Sequence, residues 1–450
     1  MDRLFSTLEP CDVSGFRRKP ANVLTAASLI GGTAVGAGIL ALPAATLQAG
    51  LFPSSVGLVM MWVYMVSTAL LIAEVNVNVI CAQGTPGVGL IALAEQALGK
   101  GGARFTGLVY VFIHYSLLVA YMAQGGSLLT EGFNSAVATP GSGLDMAAAL
   151  PEWAGPTAFC FALGSLVLFF SEEFVASFNS VLVGVVLASF LALIVVGSGG
   201  VQMDFITQQD WTKLPSTVPV LYIAMVFHNV IPVVTTQLEG KGSGDVDKIR
   251  KAVVGGSVAP LLMFLAWNTV ILGSVSKDAG LVAEAAGGVF DPLQALRDSA
   301  GSAEGSAALI GPLISIFSEV AIITSFIGFI VGLLDFFTDV LKIPPGDTSK
   351  EIPLYGAILL PPLAVAVTDP DIFFAALDTA GTFGISLLCG VLPATMAWQQ
   401  RYGGGEDGKI KIATLPLVPG GKATLAGIAG FAGVVIFQKL LEMGGFTLPA

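Results

Sequence analysis

Two histidines and one glutamate are the residues best placed to do chemistry inside the long apolar stretches of this 450-residue chain. His228 and His114 titrate near neutral pH and can therefore carry a proton. Glu319 lies deep within its own apolar stretch. Because an ionisable side chain inside a membrane is costly, it is functional by default. We rank His228 first and Glu319 second as proton-coupling residues, and a hydrogen-bonded structural histidine is the alternative for His228. Interfacial water is the expected environment of three acids nearer the ends of their stretches, Glu74, Asp335 and Asp378.

The first apolar stretch contains a glycine-rich segment that predicts a discontinuous helix. Four glycines lie between Gly31 and Gly38, and Pro43 follows. Each interior glycine costs roughly 1 kcal/mol relative to alanine in a helix, which predicts unwinding. Free N–H and C=O groups at such a break can bind charged groups of a substrate. We assign backbone contacts with the substrate to Thr33, Gly36, Ala37, Gly38 and Ile39.

A second break is predicted where His228 and Asn229 precede Pro232, because proline removes one backbone hydrogen bond and clashes with the preceding turn. We assign His228 and Asn229 to the substrate site on this helix. The alternative is that the glycines of the first helix only permit close helix packing, as small residues do in membranes.

The third predicted helix offers an imidazole, an aliphatic side chain and a phenol on one face. A ring of the substrate could pack there, with its polar end bonded to His114 or Tyr121; ordinary interhelical packing is the alternative. The residues at this helical spacing are His114, Leu118, Tyr121 and Gly125.

Charge-free apolar stretches recur along the whole chain and position these residues. Of the residues, 54% are hydrophobic and 11% charged, against roughly 25% charged in soluble domains. Each stretch approaches or exceeds the roughly 20 residues that a helix needs to cross a bilayer. The sequence therefore predicts an all-α transmembrane protein of about eleven helices. They lie near 22–46, 54–81, 105–130, 155–171, 175–198, 216–238, 252–274, 307–339, 353–368, 372–398 and 423–441.

The two predicted breaks lie five helices apart, in helices 1 and 6, and an odd number of spans inverts the second unit relative to the first. This spacing predicts a single transporter domain over 22–441, with inverted repeats at 22–198 and 216–398 and an extra helix at 423–441. Short tails precede and follow it at 1–21 and 442–450. Most Lys and Arg fall on the side of the N-terminus, which we therefore place in the cytoplasm. The segments assigned to the outer side hold Lys213, Lys277 and Arg297.

Several chemistries are not expected from this sequence. With two histidines, both in apolar stretches, and four widely spaced cysteines, no metal site, disulfide framework or nucleophilic enzyme site can be assembled. The segment from Gly403 to Lys409 resembles a phosphate-binding loop, but Ile410 follows instead of Ser or Thr. We expect no enzyme activity, no cofactor and no nucleic-acid partner.

Four segments resemble the hydroxy and aromatic amino acid permeases, which include the bacterial tyrosine-specific and tryptophan-specific transport proteins and their plant and algal relatives. The segments are GGTAVGAGILALPAATLQAG from Gly31, VFHNVIPVV from Val226, DKIRKAVVGGSVAPLLMFLAWNTVILGSV from Asp247 and SFIGFIVGLLDFFTDVLK from Ser325. The resemblance runs from about residue 22 to 440. The chain departs from the bacterial pattern in the loops from Gly240 to Asp245 and from Ser276 to Ser306.

The resemblance implies an eleven-helix protein of the amino acid/polyamine/organocation type that imports an aromatic amino acid, tyrosine or tryptophan, together with protons. Its partners would be the small-molecule substrate and the lipid bilayer. Sodium coupling is an alternative, because Ser318, Thr324 and Ser325 offer oxygen ligands. A second alternative to a proton-coupled transporter is a non-transporting membrane receptor that senses amino acids. The sequence does not decide between the plasma membrane and a plastid envelope, in which the N-terminus would lie on the stromal side. It does not decide the oligomeric state either.

Overall fold

The protein is described by a computed structural model whose elements are almost all α-helices. An antiparallel hairpin of strands Leu8–Cys11 (β1) and Gly15–Arg18 (β2) lies in the predicted N-terminal tail and is the exception among the described residues. The structure describes residues 8–11, 15–18, 22–36, 38–83, 89–138, 150–238, 245–276, 290–300, 305–343, 348–369, 371–403 and 416–444.

Within this part of the chain, nine helices are long and apolar enough to cross a membrane, and a bent helix pair forms a tenth span. A further apolar helix, Ala154–Phe169 (α4), is 16 residues long. The predicted all-α transmembrane class is therefore confirmed. The remaining long helices are Leu51–Gln83 (α2), Leu90–Ala138 (α3), Glu172–Gly197 (α5), Asp245–Ser274 (α7), Ile310–Leu341 (α8), Thr348–Thr368 (α9), Phe373–Tyr402 (α10) and Gly421–Met443 (α11).

The first span is broken into Val23–Ala34 (α1a) and Gly38–Thr46 (α1b), whose axes differ by 58°. The break is narrower than the glycine content predicts, because Gly31 and Gly32 remain helical. The missing side chain of Gly31 serves packing instead: a Cβ there would lie 3.0 Å from the carbonyl oxygen of Gly256 in α7. Glycine thus lets the two helices approach closely.

The sixth span is also interrupted. Helix Leu214–Ala224 (α6a) ends before Phe227, a 3₁₀ turn covers His228–Val230, and Ile231–Gln237 (α6b) follows. Pro232 occupies the first turn of α6b, where its missing N–H breaks no intrahelical hydrogen bond. The predicted interruption at this position is present.

Two further features lie outside the sequence-based expectation. The helical segment of α3 begins at Leu90, fifteen residues before the expected start of the span, and Gly99 with φ +80° interrupts it in between. The predicted outer loop contains an amphipathic helix, Pro292–Ala300, that packs against α8. The predicted insertion at 240–245 falls almost entirely outside the described residues.

The packing places the two broken helices at the centre of the molecule. Helix α7 lies along α1a and α2, α6a packs on α1b and α10, and α8 lies between α3 and α5. Large buried side chains fill the contacts, among them Trp267, Tyr222 and Phe317. The breaks in α1 and α6 are therefore enclosed by several helices.

Candidate functional site

The break in α1 leaves backbone donors free at the start of α1b. Val35 N–H donates to the Gly31 carbonyl at 3.3 Å, and Ile39 N–H donates to the Gly36 carbonyl at 3.2 Å. The N–H groups of Gly36 and Gly38 have no hydrogen-bond acceptor among the described residues. Free N–H groups at a helix N-terminus attract a carboxylate. Ala37, also assigned to the site, lies outside the described residues.

The break in α6 leaves both donors and acceptors free. The last helical bonds are Met225 N–H to Leu221 O at 3.2 Å and Val226 N–H to Ile223 O at 3.4 Å. In the described part of the chain, no backbone group pairs with the N–H of His228 or with the carbonyl of Ala224. The partial negative charge of the Ala224 carbonyl oxygen can attract an ammonium group.

The two breaks are in direct contact. A Cβ at Gly38 would lie 3.0 Å from the Ile223 side chain and 3.5 Å from the Cα of Ala224. The first turn of α1b thus rests on the last turn of α6a, so the free N–H groups of one break lie next to the free carbonyls of the other. Ile39 is 1% exposed and is held in the same contact region.

His228 faces α2 from the 3₁₀ turn and is fully enclosed, with 1% of its surface exposed. Its Nε2 lies 2.7 Å from the Thr68 hydroxyl, which itself donates to the Met65 carbonyl at 3.1 Å. A hydroxyl has one proton. Because Thr68 donates this proton to the Met65 carbonyl, its oxygen must accept the hydrogen bond from Nε2–H of His228. His228 Nδ1 then carries the lone pair, and it is buried without a hydrogen-bond partner among the described residues.

Thr33 and Asn229, also predicted for the site, have different environments. The Thr33 hydroxyl donates to the Leu29 carbonyl in its own helix at 2.8 Å. Asn229 is exposed at the start of α6b, on the same side as Val233, which is 48% exposed. In the described part of the chain, neither side chain is hydrogen-bonded to His228.

Helices α3 and α8 contribute an aromatic cluster next to the break in α1. The Tyr121 hydroxyl lies beside the side chain of Ser325, and the Tyr121 ring lies 5.7 Å from that of Phe329. A Cβ at Gly36 would lie 3.3 Å from the Ser325 hydroxyl oxygen. Ser325 therefore joins the break in α1 to Tyr121, a link that the sequence offered only as one of several oxygen donors.

His114 lies on the same face of α3, two turns from Tyr121. Its Nδ1 is 2.8 Å from the Tyr110 carbonyl, and its ring lies tilted against that of Tyr110 at 3.9 Å and edge-on to that of Phe329 at 4.9 Å. Leu118 between them is fully buried. The predicted face of α3 is thus assembled, with His114 held by its own helix. Gly125 serves packing, because a side chain there would overlap the Phe159 ring.

The comparisons with known proteins agree with this geometry. The model of the tryptophan/tyrosine permease family matches residues 19–438. The chain belongs to this family. It is similar to the tyrosine-specific transport system 2 of Haemophilus influenzae, with 29% identity over 91% of this chain and 94% of the relative. A tryptophan-specific transport protein of the same organism is 27% identical over 86% of this chain and 89% of its own. The low affinity tryptophan permease of Escherichia coli is 25% identical over 83% and 86%, respectively.

Family membership makes this permease an integral multi-pass membrane transport protein and not an enzyme. The resemblance recognised from four sequence segments is confirmed. Among the described residues, no group of three His, Cys, Asp or Glu side chains could hold a metal ion.

The acids of the permease are placed in three different environments. Glu319 in α8 is partly buried and has no ion pair or hydrogen bond in the described part of the chain. Asp378 pairs with Lys439 at 2.7 Å. The expectation that Glu74 reaches interfacial water is wrong: its carboxylate is 1% exposed and pairs with Arg401 at 2.6 Å. This pair could not be predicted from the sequence, because its members are 327 residues apart.

Burial differs sharply between the two halves of α1. Seven of the nine residues of α1b are buried, compared with three of the twelve residues of α1a. One face of α1a is exposed and combines two leucines with small or polar residues: Leu24, Thr25, Ser28, Leu29 and Gly32. The break is therefore covered along α1b and less covered along α1a.

Proposed function

We propose that this permease is a secondary active transporter that carries an aromatic amino acid, tyrosine or tryptophan, by alternating access in symport with protons. The observation that carries the proposal is the contact between two broken helices, where Gly38 rests on Ala224 beside the Tyr121–Phe329 cluster. Relatives in the family are named for tyrosine-specific and tryptophan-specific transport.

The broken helices would bind the charged end of the substrate. The carboxylate would accept from the free N–H groups of Gly36 and Gly38, and the ammonium group would donate to carbonyls such as that of Ala224. Both groups leave water on binding, and half-helix ends replace the lost hydration with fixed partial charges. The aromatic ring would extend toward Tyr121 and Phe329, where ring pairs gain roughly 0.5–1.5 kcal/mol beyond area burial.

The architecture that supports alternating access is the pair of inverted repeats at 22–198 and 216–398, with the extra helix at 423–441. Breaks in the first helix of each repeat support this assignment. With the N-terminus in the cytoplasm, α1a lies on the inner side. Its lower burial than that of α1b then supports a conformation that is open to the cytoplasm and closed on the outside by α1b.

Proton coupling would use His228, with Glu319 as the second candidate. A proton arriving on the unpartnered Nδ1 would create an imidazolium beside the α6 break, where it meets no opposite charge in the described structure. Its charge would favour a state in which the substrate carboxylate is bound nearby. Sodium coupling is the competing mechanism, and it is favoured by the position of the Ser325 hydroxyl next to Gly36.

The test is uptake of radiolabelled tyrosine, tryptophan and phenylalanine into proteoliposomes, under an imposed proton gradient or an imposed sodium gradient. Proton-driven accumulation of tyrosine or tryptophan supports the proposal. Accumulation driven only by sodium assigns the coupling to that ion. Saturable binding without uptake under either gradient, by protein that elutes as a folded species, would instead identify an amino acid receptor.

A further inference from the structure

The carbonyl of Ile39, in the first turn of α1b, cannot form its normal helical hydrogen bond. Its partner in an α-helix would be the N–H of the residue four positions later, which is Pro43 and has none. Ile39 is 1% exposed, so water does not replace the lost donor. A buried carbonyl without a partner is expensive, and native proteins pair nearly all of them.

Trp267 of α7 supplies the missing donor. Its indole Nε1–H donates to the Ile39 carbonyl at 3.0 Å, and the side chain is fully buried. The ring is fixed between Phe190 and Phe317, at centroid distances of 6.0 and 5.0 Å. A side-chain donor from another helix therefore replaces a backbone donor of α1b, and the surrounding rings leave it little freedom to move.

A second hydrogen bond joins the same two helices at the far end of α1b. Asn268, next to Trp267, donates to the Thr46 hydroxyl at 3.0 Å. Ile39 and Thr46 are seven residues apart, so they lie on the same face of α1b. Together the two bonds fix both the position and the rotation of α1b on α7.

The protein uses the same device once more, away from the α1 and α6 breaks. Pro361 in α9 leaves the Ala357 carbonyl without a backbone donor, and the Tyr115 hydroxyl of α3 donates to it at 2.7 Å. This pair joins α3 to α9. It provides a matched control, because it has the same chemistry without contact with the broken helices.

We propose that Trp267 is a positioning residue of the substrate site, which it serves by replacing the hydrogen bond lost at Pro43. The bond holds the first turn of α1b against α7 and so aims the free N–H groups of Gly36 and Gly38 at the substrate. The inference rests on the proposed transport function. Loss of the indole N–H should weaken substrate binding about tenfold, the factor expected for an unpaired buried carbonyl.

The test is a double-mutant cycle on Trp267→Phe and Pro43→Ala, read as the half-saturation concentration for tyrosine and tryptophan uptake and as the thermal unfolding midpoint. Trp267→Phe alone should raise the half-saturation concentration about tenfold, with a smaller change in maximal rate. In the Pro43→Ala background the Ile39 carbonyl regains a backbone donor from residue 43. In that background, Trp267→Phe should raise the half-saturation concentration at most about twofold.

The control cycle measures Tyr115→Phe in the unsubstituted protein and in the Pro361→Ala background. Tyr115→Phe should shift the unfolding midpoint but not the half-saturation concentration. Equal penalties for Trp267→Phe in both backgrounds would overturn the positioning role, as would an equal effect of Tyr115→Phe on substrate affinity. Absence of uptake and binding by the unsubstituted protein would overturn the transport function and the role together. Normal uptake without coupling between residues 43 and 267 overturns the role alone.

Discussion

Gly38 of α1b and Ala224 of α6a approach so closely that a Cβ at position 38 would lie 3.5 Å from the Ala224 Cα and 3.0 Å from the neighbouring Ile223 side chain. Two interrupted helices thus meet at their interruptions, and each presents unpaired backbone groups there. A residue larger than glycine would separate them. The contact explains why position 38 has no room for a side chain.

Gly38→Ala tests this contact. The added methyl group must displace Ile223, and overpacking of this kind costs about 1–3 kcal/mol. We expect aromatic amino acid uptake to fall at least tenfold and the thermal unfolding midpoint to drop. Gly433→Ala in α11 is the control, because nothing lies within 4 Å of its added Cβ. Equal effects of the two changes on uptake would contradict a special role for position 38.

The ion pair of Glu74 and Arg401 predicts strong stabilisation of the fold. Two hydrogen bonds of 2.7 and 2.6 Å join the side chains, and Glu74 also accepts from Leu417 N–H at 2.8 Å. Removing one partner of a buried pair costs about 3–5 kcal/mol, because the other charge stays unpaired. Glu74→Leu or Arg401→Met alone should therefore abolish or greatly reduce folded protein in fluorescence-detected size-exclusion chromatography.

The matched control for this pair is the double variant Glu74→Leu with Arg401→Met. It removes both charges, so it should lose less stability than the sum of the single variants. Lys439→Met, which breaks the more exposed pair with Asp378, should cost under about 1 kcal/mol. A double variant as unstable as the summed singles would show that the two charges do not act as a pair.

Tyr121→Phe tests the link between the aromatic cluster and the break in α1. The change removes only the hydroxyl, which lies beside Ser325, and loss of a hydrogen bond from such a group costs about 1 kcal/mol. We expect the half-saturation concentration for tyrosine and tryptophan to rise about fivefold. Tyr355→Phe is the control, since its hydroxyl bonds the Val167 carbonyl at 3.1 Å between α9 and α4. An unchanged half-saturation concentration in Tyr121→Phe would place the substrate elsewhere.

His228→Gln separates substrate binding from proton coupling. Glutamine can still donate to the Thr68 hydroxyl, but it cannot take up a proton as imidazole does. Counterflow exchange of labelled tyrosine should persist, whereas accumulation driven by a proton gradient should be lost. Glu319→Gln, tested in parallel, should retain accumulation if His228 alone carries the proton. Intact accumulation in His228→Gln with loss in Glu319→Gln would move the coupling role to Glu319.

The spans of this permease could be predicted from its sequence because a bilayer imposes a local rule. Lipid offers no hydrogen bonds, so each crossing segment must be apolar and must pair its own backbone. Hydropathy alone therefore located the apolar helices, and glycine and proline content located the interruptions in α1 and α6. The extent of the α1 break was not predictable, since Gly31 remains helical and serves packing against Gly256. The family, too, was recognisable from four segments.

The partners of the polar side chains were decided only by the tertiary structure. Glu74 is hydrogen-bonded to Arg401, which is 327 positions away in the sequence. The corresponding separations are 228 positions for Trp267 and Ile39, and 160 for His228 and Thr68. Composition and periodicity report which face of a helix is apolar, but they carry no information about which helix lies opposite it. That choice depends on how all the helices pack at once. For this reason the sequence placed Glu74 in interfacial water, whereas packing buried it against a charge of opposite sign.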